Sequence, residues 1–332
     1  MRRSVFYLGI LFLLIVCSCK NENNTTIGFL IHSLTSSRWQ MDISFIQERA
    51  EELGARVELR NADGDENVQL KQAHELLEAG VDVLIVVAAN QNTAAAIVRD
   101  AHDFGVPVIG YDRTIKNSDL DYLISFEYER IGELMVEYAT QQKPSGNYIL
   151  LWGDPSDANA RFVKTGQERA LEPILAKGQI SIVYKTFIEG WSRTNANKMM
   201  SEILDFYPGK IDAVISSNDP MALGAFDALV EHGYKPFEVE ITGQDATLEA
   251  CRSIVAGGMT MSVFKNIKEL AYTAVDLAVD VTGKKKMIFE RTINNGRKDV
   301  PALLLKPGIV DRANLDEAII AAGVFTREAV YE

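Results

Sequence analysis

Cysteine is nearly absent from the body of this chain. Of its three cysteines, Cys17 and Cys19 sit in the first apolar segment, and Cys251 alone lies beyond it. The mature fold therefore has no intrachain disulfide and no thiol-pair motif. Histidine is equally sparse. His32, His74, His102 and His232 stand far apart, without Cys or Glu at ligand spacing, which argues against zinc. Nucleotide and nucleophile motifs are missing as well. Ile27-Gly28-Phe29-Leu30 has no glycine turn for a pyrophosphate, no G-x-x-x-x-G-K-[ST] exists, and no G-x-S-x-G elbow presents a serine. Neither a cofactor nor a metal is expected. Clustered basic charge is also lacking. Removing Arg2 and Arg3 with a leader takes the formal net charge from -12 to -14, which disfavours nucleic acid and anionic membrane surfaces as partners. The one dense basic run, Lys284-Lys285-Lys286, follows Gly283 at an expected helix end, where cations complement the helix dipole.

What is present describes an ordinary globular chain. With 332 residues, 47% hydrophobic and 24% charged, it is long enough for two domains with full cores. Residues 1–19 read as a leader: Arg2 and Arg3 precede a nearly unbroken apolar run from Val5 to Val16, too short for a comfortable membrane span. It ends Val16-Cys17-Ser18-Cys19. A small residue before Cys resembles a bacterial lipobox and implies a lipid thioether on Cys19, so the chain is expected in the periplasm or cell envelope, anchored to a membrane by lipid only. Residues 20–26, polar and Asn-rich, read as a tether.

Strand and helix then alternate with few interruptions. Apolar runs at 27–31, 55–59, 83–87, 106–109 and 122–125 read as strands, and helices at 37–53, 67–79 and 92–104 each end at a glycine. A second series has strands at 148–152, 180–187, 213–216, 239–242 and 259–264, with helices at 161–175, 193–206, 221–231 and 248–256. One more helix at 267–281 and a late strand at 299–306 follow. Shared order and spacing predict two similar doubly wound α/β lobes about a cleft. The first lobe is assigned 27–125 plus 265–292, the second 126–264 plus 298–332.

In parallel sheets, ligands collect at the carboxyl ends of strands. Those ends hold Arg38 and Trp39, Asp112 and Arg113, Asn159, Trp191, Asn218, Asp245 and Lys265. Carboxylates, amides and cations offer acceptors and donors to hydroxyl groups, and indoles offer a face to C–H surface; sugars need that mix. Other readings of single residues stay open. Asn218 and Asp245 could cap the following helices, Trp39 and Trp191 could be core, and Asp112-Arg113 could be a surface ion pair. An enzyme is disfavoured, although Asp112 and Asp245 could mimic the paired carboxylates of a glycosidase.

Several segments together carry a resemblance: Arg38-Trp39-Gln40, Gly80 to Leu84, Tyr111-Asp112-Arg113, Tyr122 to Phe126, Ser217-Asn218-Asp219, Gly243 to Ala246 and Asp299-Val300-Pro301. The chain resembles the periplasmic sugar-binding proteins of the ribose/galactose type, most closely those that take D-xylose. The resemblance implies ligand contacts from Arg38, Asp112, Arg113, Asn159, Trp191, Asn218, Asp245 and Lys265, with Trp39 as a second stacking ring. The chain departs from the family at His32-Ser33, where an acidic pair is usual, which makes these two the expected specificity residues. It also implies three crossovers, near 125–126, 264–265 and 292–298, and hinge closure on a pentose. The expected partner is an ABC permease, the alternative a membrane sensor kinase, and the protein is expected to be a monomer. A repressor of the same fold would carry a helix-turn-helix where the lipobox stands.

Overall fold

The computed structural model describes residues 25–35 and 37–332. The expected leader with Cys19, and most of the tether, lie outside the described residues. Strand β1 (Thr26–Ile31) already begins at the last tether position. There the Thr26 N–H donates to Asp82 Oδ2 at 2.7 Å, and the Thr26 carbonyl accepts from the Asp82 N–H at 2.8 Å.

The first series continues with α1 (Ser37–Glu52), β2 (Arg56–Asn61), α2 (Glu66–Glu78), β3 (Val83–Val86), α3 (Ala95–Asp103), β4 (Val108–Tyr111) and β5 (Tyr122–Phe126). The second runs α4 (Tyr128–Gln142), β6 (Gly146–Trp152), α5 (Ala158–Leu175), β7 (Ile180–Phe187), α6 (Arg193–Phe206), β8 (Ala213–Ser216), α7 (Asp219–Glu231), β9 (Glu240–Gln244), α8 (Leu248–Ala256) and β10 (Met261–Phe264). The tail adds α9 (Ile267–Thr282), β11 (Arg291–Asn294), β12 (Asp299–Leu305), β13 (Gly308–Asp311) and α10 (Arg327–Tyr331).

Two sheets result, ordered β11-β12-β5-β4-β3-β1-β2 and β13-β10-β9-β8-β6-β7. Strands β1 to β5 and β6 to β10 thus repeat one doubly wound parallel arrangement, as the sequence predicts. The central strands are buried on both faces, which is why they read as unbroken apolar runs. Helix α9 returns to the first sheet, where Leu270, Ala274 and Val275 share a core with Ile46 and Ala50 of α1.

Three features differ from the sequence reading. Helix α4 falls in a stretch to which the sequence reading assigns no element. It buries Tyr128, Ile131, Met135, Val136 and Ala139 at helical spacing and crosses α5 closely. A Cβ on Gly132 would lie 2.0 Å from the Val163 carbonyl oxygen, and one on Gly166 would lie 1.9 Å from that of Glu129. Strand β4 runs two residues further than expected, through Gly110 and Tyr111, so Asp112 follows the strand directly. The third passage between sheets does not fall at Thr292–Lys298. That segment is the end of β11 and the turn of the β11–β12 hairpin, fixed by Gly296 at φ 92 and by buried Asn295, whose amide donates to the Ile115 and Ser118 carbonyls at 2.9 Å each. Strand β12 pairs in parallel with β5, Ala302 opposite Leu123, and the chain crosses only at 306–307, before β13 pairs antiparallel with β10. Residues 299–305 therefore lie in the first sheet, not in the second lobe.

Candidate functional site

Both sheets turn their carboxyl ends toward one cleft, the position the doubly wound arrangement makes available to a ligand. A cavity of about 670 Å³ fills it. All eleven residues singled out by the sequence line this cavity: His32, Ser33, Arg38, Trp39, Asp112 and Arg113 from the first lobe, Asn159, Trp191, Asn218 and Asp245 from the second, and Lys265 at the second crossover.

On the first-lobe side the chemistry centres on Asp112. Its backbone is left-handed, φ 63, a conformation Asp tolerates better than most residues. The turn lets its N–H donate back to the Ile124 carbonyl at 2.8 Å. Arg38 grips the carboxylate with both arms, Nη2 to Oδ1 at 2.8 Å and Nη1 to Oδ2 at 3.4 Å, and the Tyr128 hydroxyl donates to Oδ1 at 2.6 Å. Burial alone would raise this carboxyl, but the positive charges of Arg38 and Lys265 outweigh it and hold Asp112 well below the usual carboxylate range. It is an ionised acceptor at any working pH. Arg38 also lies against Asp42, Nε to Oδ2 at 3.4 Å. Burial pushes the Asp42 carboxyl up to about 6, although Arg38 and the Tyr111 hydroxyl that donates to it work the other way.

The second-lobe wall mirrors this. Asp245 is also left-handed, φ 104, and its N–H donates to the Val263 carbonyl at 2.9 Å. Its carboxylate pairs with Lys265 Nζ at 2.8 Å. That ammonium, almost fully buried, lies 5.6 Å and 5.3 Å from the ring centres of Phe126 and Tyr128, so cation–π attraction offsets part of its lost hydration.

The aromatic residues behave differently from one another. Trp191 forms a half-buried wall, on a short 3-10 turn (Glu189–Trp191) held by the Gly190 N–H donating to Asp154 Oδ2 at 2.7 Å. Trp39 belongs to the first-lobe core, with the Arg38 guanidinium 4.3 Å above its ring and the His32 ring edge-on at 4.9 Å. It therefore positions Arg38 and His32 while presenting little surface of its own. Burial, followed by the charge of Arg113, lowers His32 to about 3, so it faces the cleft as a neutral imidazole.

Asn218 has two roles at once. Its Oδ1 caps α7 by accepting from the Met221 N–H at 3.0 Å, and its Nδ2 donates to the Trp191 carbonyl at 3.3 Å. Asp245 does not cap α8; Thr247 does, accepting from the Ala250 N–H at 3.2 Å.

Other residues of the cleft were not singled out by the sequence: Gln91 was missed, while Asp157 and Gln244 stood at strand ends without being assigned to the site. Gln91 and Asp157 join the lobes directly: Gln91 Nε2 donates to Asp157 Oδ1 at 3.3 Å, and the Ala158 N–H donates to Gln91 Oε1 at 3.2 Å. Arg113 Nη2 meets Asp157 Oδ2 at 3.2 Å, and Asn159 Nδ2 donates to the Asp112 carbonyl at 3.2 Å. Gln244 lines the cavity too, with a buried Oε1 that has no hydrogen-bond partner among the described residues. Asp157 was visible as a polar residue at the strand end after Trp152, but its partners across the cleft were not.

Residues 27–286 match the model of the periplasmic binding protein domain. The chain belongs to that family. This binding protein is 37% identical over 319 residues to the D-xylose-binding periplasmic protein of Haemophilus influenzae, covering 96% of each chain. It is 38% identical over 311 residues to the protein of that name from Escherichia coli, covering 94% of each. Among solved structures, an ABC transporter solute-binding protein from Clostridium phytofermentans with bound β-D-glucose superposes with a TM-score of 0.86. The two are 29% identical, and the match covers 92% of this chain and all of that one (100%).

Proposed function

We propose that this binding protein captures a monosaccharide, D-xylose first among candidates, between its lobes outside the cytoplasm and delivers it to an ABC importer. The observation that carries this reading is the pair of strained, cation-held carboxylates, Asp112 and Asp245, set on opposite walls of one cavity with an indole beside them. Asp112 and Asp245 accept from sugar hydroxyls, Arg113, Lys265 and Asn159 donate to them, and Trp191 covers a C–H face. Hydrogen bonds to charged groups contribute roughly 1.5–3 kcal/mol each, so a few of them offset the cost of ordering the lobes. The names of the relatives support xylose, and the glucose-bound neighbour supports the pyranose class. His32 and Ser33 replace charge with neutral donors and acceptors at the first loop, and we assign discrimination among sugars to them. All these groups come from one chain, so a monomer suffices. Closure is stabilised by the bonds of Gln91, Arg113 and Asn159 across the cleft, and the closed shape is what the importer reads. Cys19 carries the lipid anchor.

Calorimetric titration of the chain from Lys20 with xylose, arabinose, ribose, glucose and galactose tests the reading. Xylose is expected to bind most tightly. Binding of none of them would overturn the reading, and preference for another would move the assignment to that sugar. Cys19→Ser should release the protein from membranes on fractionation; continued retention would refute the anchor.

A further inference from the structure

We infer that Asp219, which does not line the cleft, is a positioning residue that holds Asp245 at the cleft wall. The inference rests on the reading of Asp245 as a sugar ligand. Asp219 opens α7 directly after Asn218 and is fully buried. The turn that presents Asp245 is strained twice over, because Ala246 follows it at φ 46 and neither residue is glycine. Such backbone persists only where its surroundings over-determine it.

Here the surroundings are Asp219 and Ser262. The Thr247 N–H donates to Asp219 Oδ2 at 2.8 Å, and the Ala246 N–H donates to Ser262 Oγ at 2.9 Å. Ser262 Oγ and Asp219 Oδ1 are themselves hydrogen-bonded at 2.6 Å, which closes a buried clamp around the turn. The carboxyl sits hard against β9: a Cβ on Gly243 would lie 2.4 Å from Asp219 Oδ1. Glycine is required there by the clamp, not by backbone conformation.

The groups facing Asp219 set its ionisation. Burial, followed by the negative charge of Asp245, pushes its carboxyl up to about 8. Ser262 from β10 and the N–H of Thr247 oppose that rise, and Lys265 stands beyond Asp245, paired to it. Cys251 faces it from α8, but burial and the neighbouring carboxyl push that thiol up to about 12, so it brings no charge at lower pH. A neutral Asp219 donates to Ser262 Oγ and accepts from Thr247. Once ionised it can only accept, from the Ser262 hydroxyl as well as from Thr247, and it sets a second negative charge behind Asp245. A bound sugar removes the water that screens these two carboxylates, so the bound state favours neutral Asp219. By linkage, affinity is present below that pKa and falls as pH rises through it.

The test is xylose titration from about pH 6 to about pH 9.5 of the wild type, Asp219→Asn, Asp219→Ala, Ser262→Ala and Asp245→Ala. Asparagine mimics the neutral acid, accepting from Thr247 and donating to Ser262. It should restore the wild-type affinity of neutral pH and abolish the fall above about pH 8. Asp219→Ala and Ser262→Ala should each weaken binding at every pH, by roughly tenfold for Asp219→Ala. If Asp219→Ala does not fold, Ser262→Ala carries the same test. Wild-type affinity in Ser262→Ala or Asp219→Ala, or a fall with pH that persists in Asp219→Asn, would overturn the inference. Asp245→Ala separates the two readings. Loss of binding there with wild-type affinity in the clamp variants removes only the clamp, whereas undiminished binding in Asp245→Ala removes the site itself.

Discussion

Gly153, the residue after β6, offers a perturbation that touches the proposed sugar site without removing any group from it. A Cβ at this position would lie 2.2 Å from Cη2 and Cζ3 of Trp191 and 2.4 Å from Cζ2. Carbon atoms pack at about 3.5–4.0 Å, so in Gly153→Ala the indole must leave its place. The backbone beneath the ring cannot follow easily, since Gly190 is tied to Asp154 and the Trp191 carbonyl to Asn218. The side chain therefore swings about its own bonds. Because the ring already borders an open cavity, the swing costs little stability, but it takes the face away from the ligand. An aromatic stack contributes about 0.5–1.5 kcal/mol beyond its area, so the dissociation constant should rise by about 2- to 13-fold. The melting temperature should stay within about 2 °C of wild type. Calorimetry and thermal melts on one preparation read both quantities. An unchanged dissociation constant would show that the ring is not the wall it is taken for. A large loss of melting temperature with intact affinity would show that the main chain moved instead.

Lys265→Met leaves Asp245 without its buried cation and takes the more distant of two cations from Asp112, which keeps Arg38. Breaking a buried pair costs about 3–5 kcal/mol, and because Asp245 is partly open to the cleft the lower end applies, so the melting temperature should fall by roughly 5 °C; an unaltered melt would refute the pairing argument. Gln91→Ala removes two direct bonds between the lobes and no group of the cavity wall. At about 1 kcal/mol net for each bond, affinity should fall by up to about 30-fold, with faster sugar release in stopped-flow experiments. Equal release rates would mean that these contacts do not hold the closed form.

The candidate site was legible because the fold class makes it so. Once apolar runs locate the strands of a parallel sheet, the polar residues just beyond them are candidates, and the cavity gathers every one of those singled out. What stayed hidden was non-local or ambiguous. A Gly- and Asn-rich stretch after β11 serves a hairpin as well as a crossover, and only the pairing of β12 with β5 decides between them. Gly110 reads as a turn residue. In the structure it is an in-strand glycine whose missing side chain makes room for Leu120 and Leu123, at 3.1 and 3.3 Å from where its Cβ would be. Helix α4 was visible in its spacing, from Tyr128 through Ile131, Met135 and Val136 to Ala139, but Gly132 at the α5 crossing weakens the helix signal. Gln91 and Asp157 are 66 residues apart. Their bond exists only because two lobes meet, and no local pattern encodes that.

Asp112 and Asp245 hold corresponding places in the two lobes, each directly after the fourth strand of its series. Each is left-handed, each returns its N–H to the neighbouring strand, and each carboxylate meets a buried cation. Strain of this kind costs about 1–3 kcal/mol per residue, and a chain that repeats it in both lobes must offset it twice. An extended residue at either place would continue the strand and carry its side chain onto a sheet face, against the covering helices. The left-handed turn ends the strand instead: the N–H closes onto the adjacent strand, and the carboxylate borders the cleft. The cations offset the desolvation of both carboxylates, and at Asp112 they also hold the carboxyl well below the usual carboxylate range. Strain and pairing are thus one arrangement made twice, and the cleft between the lobes is bordered by a cation-paired carboxylate from each side.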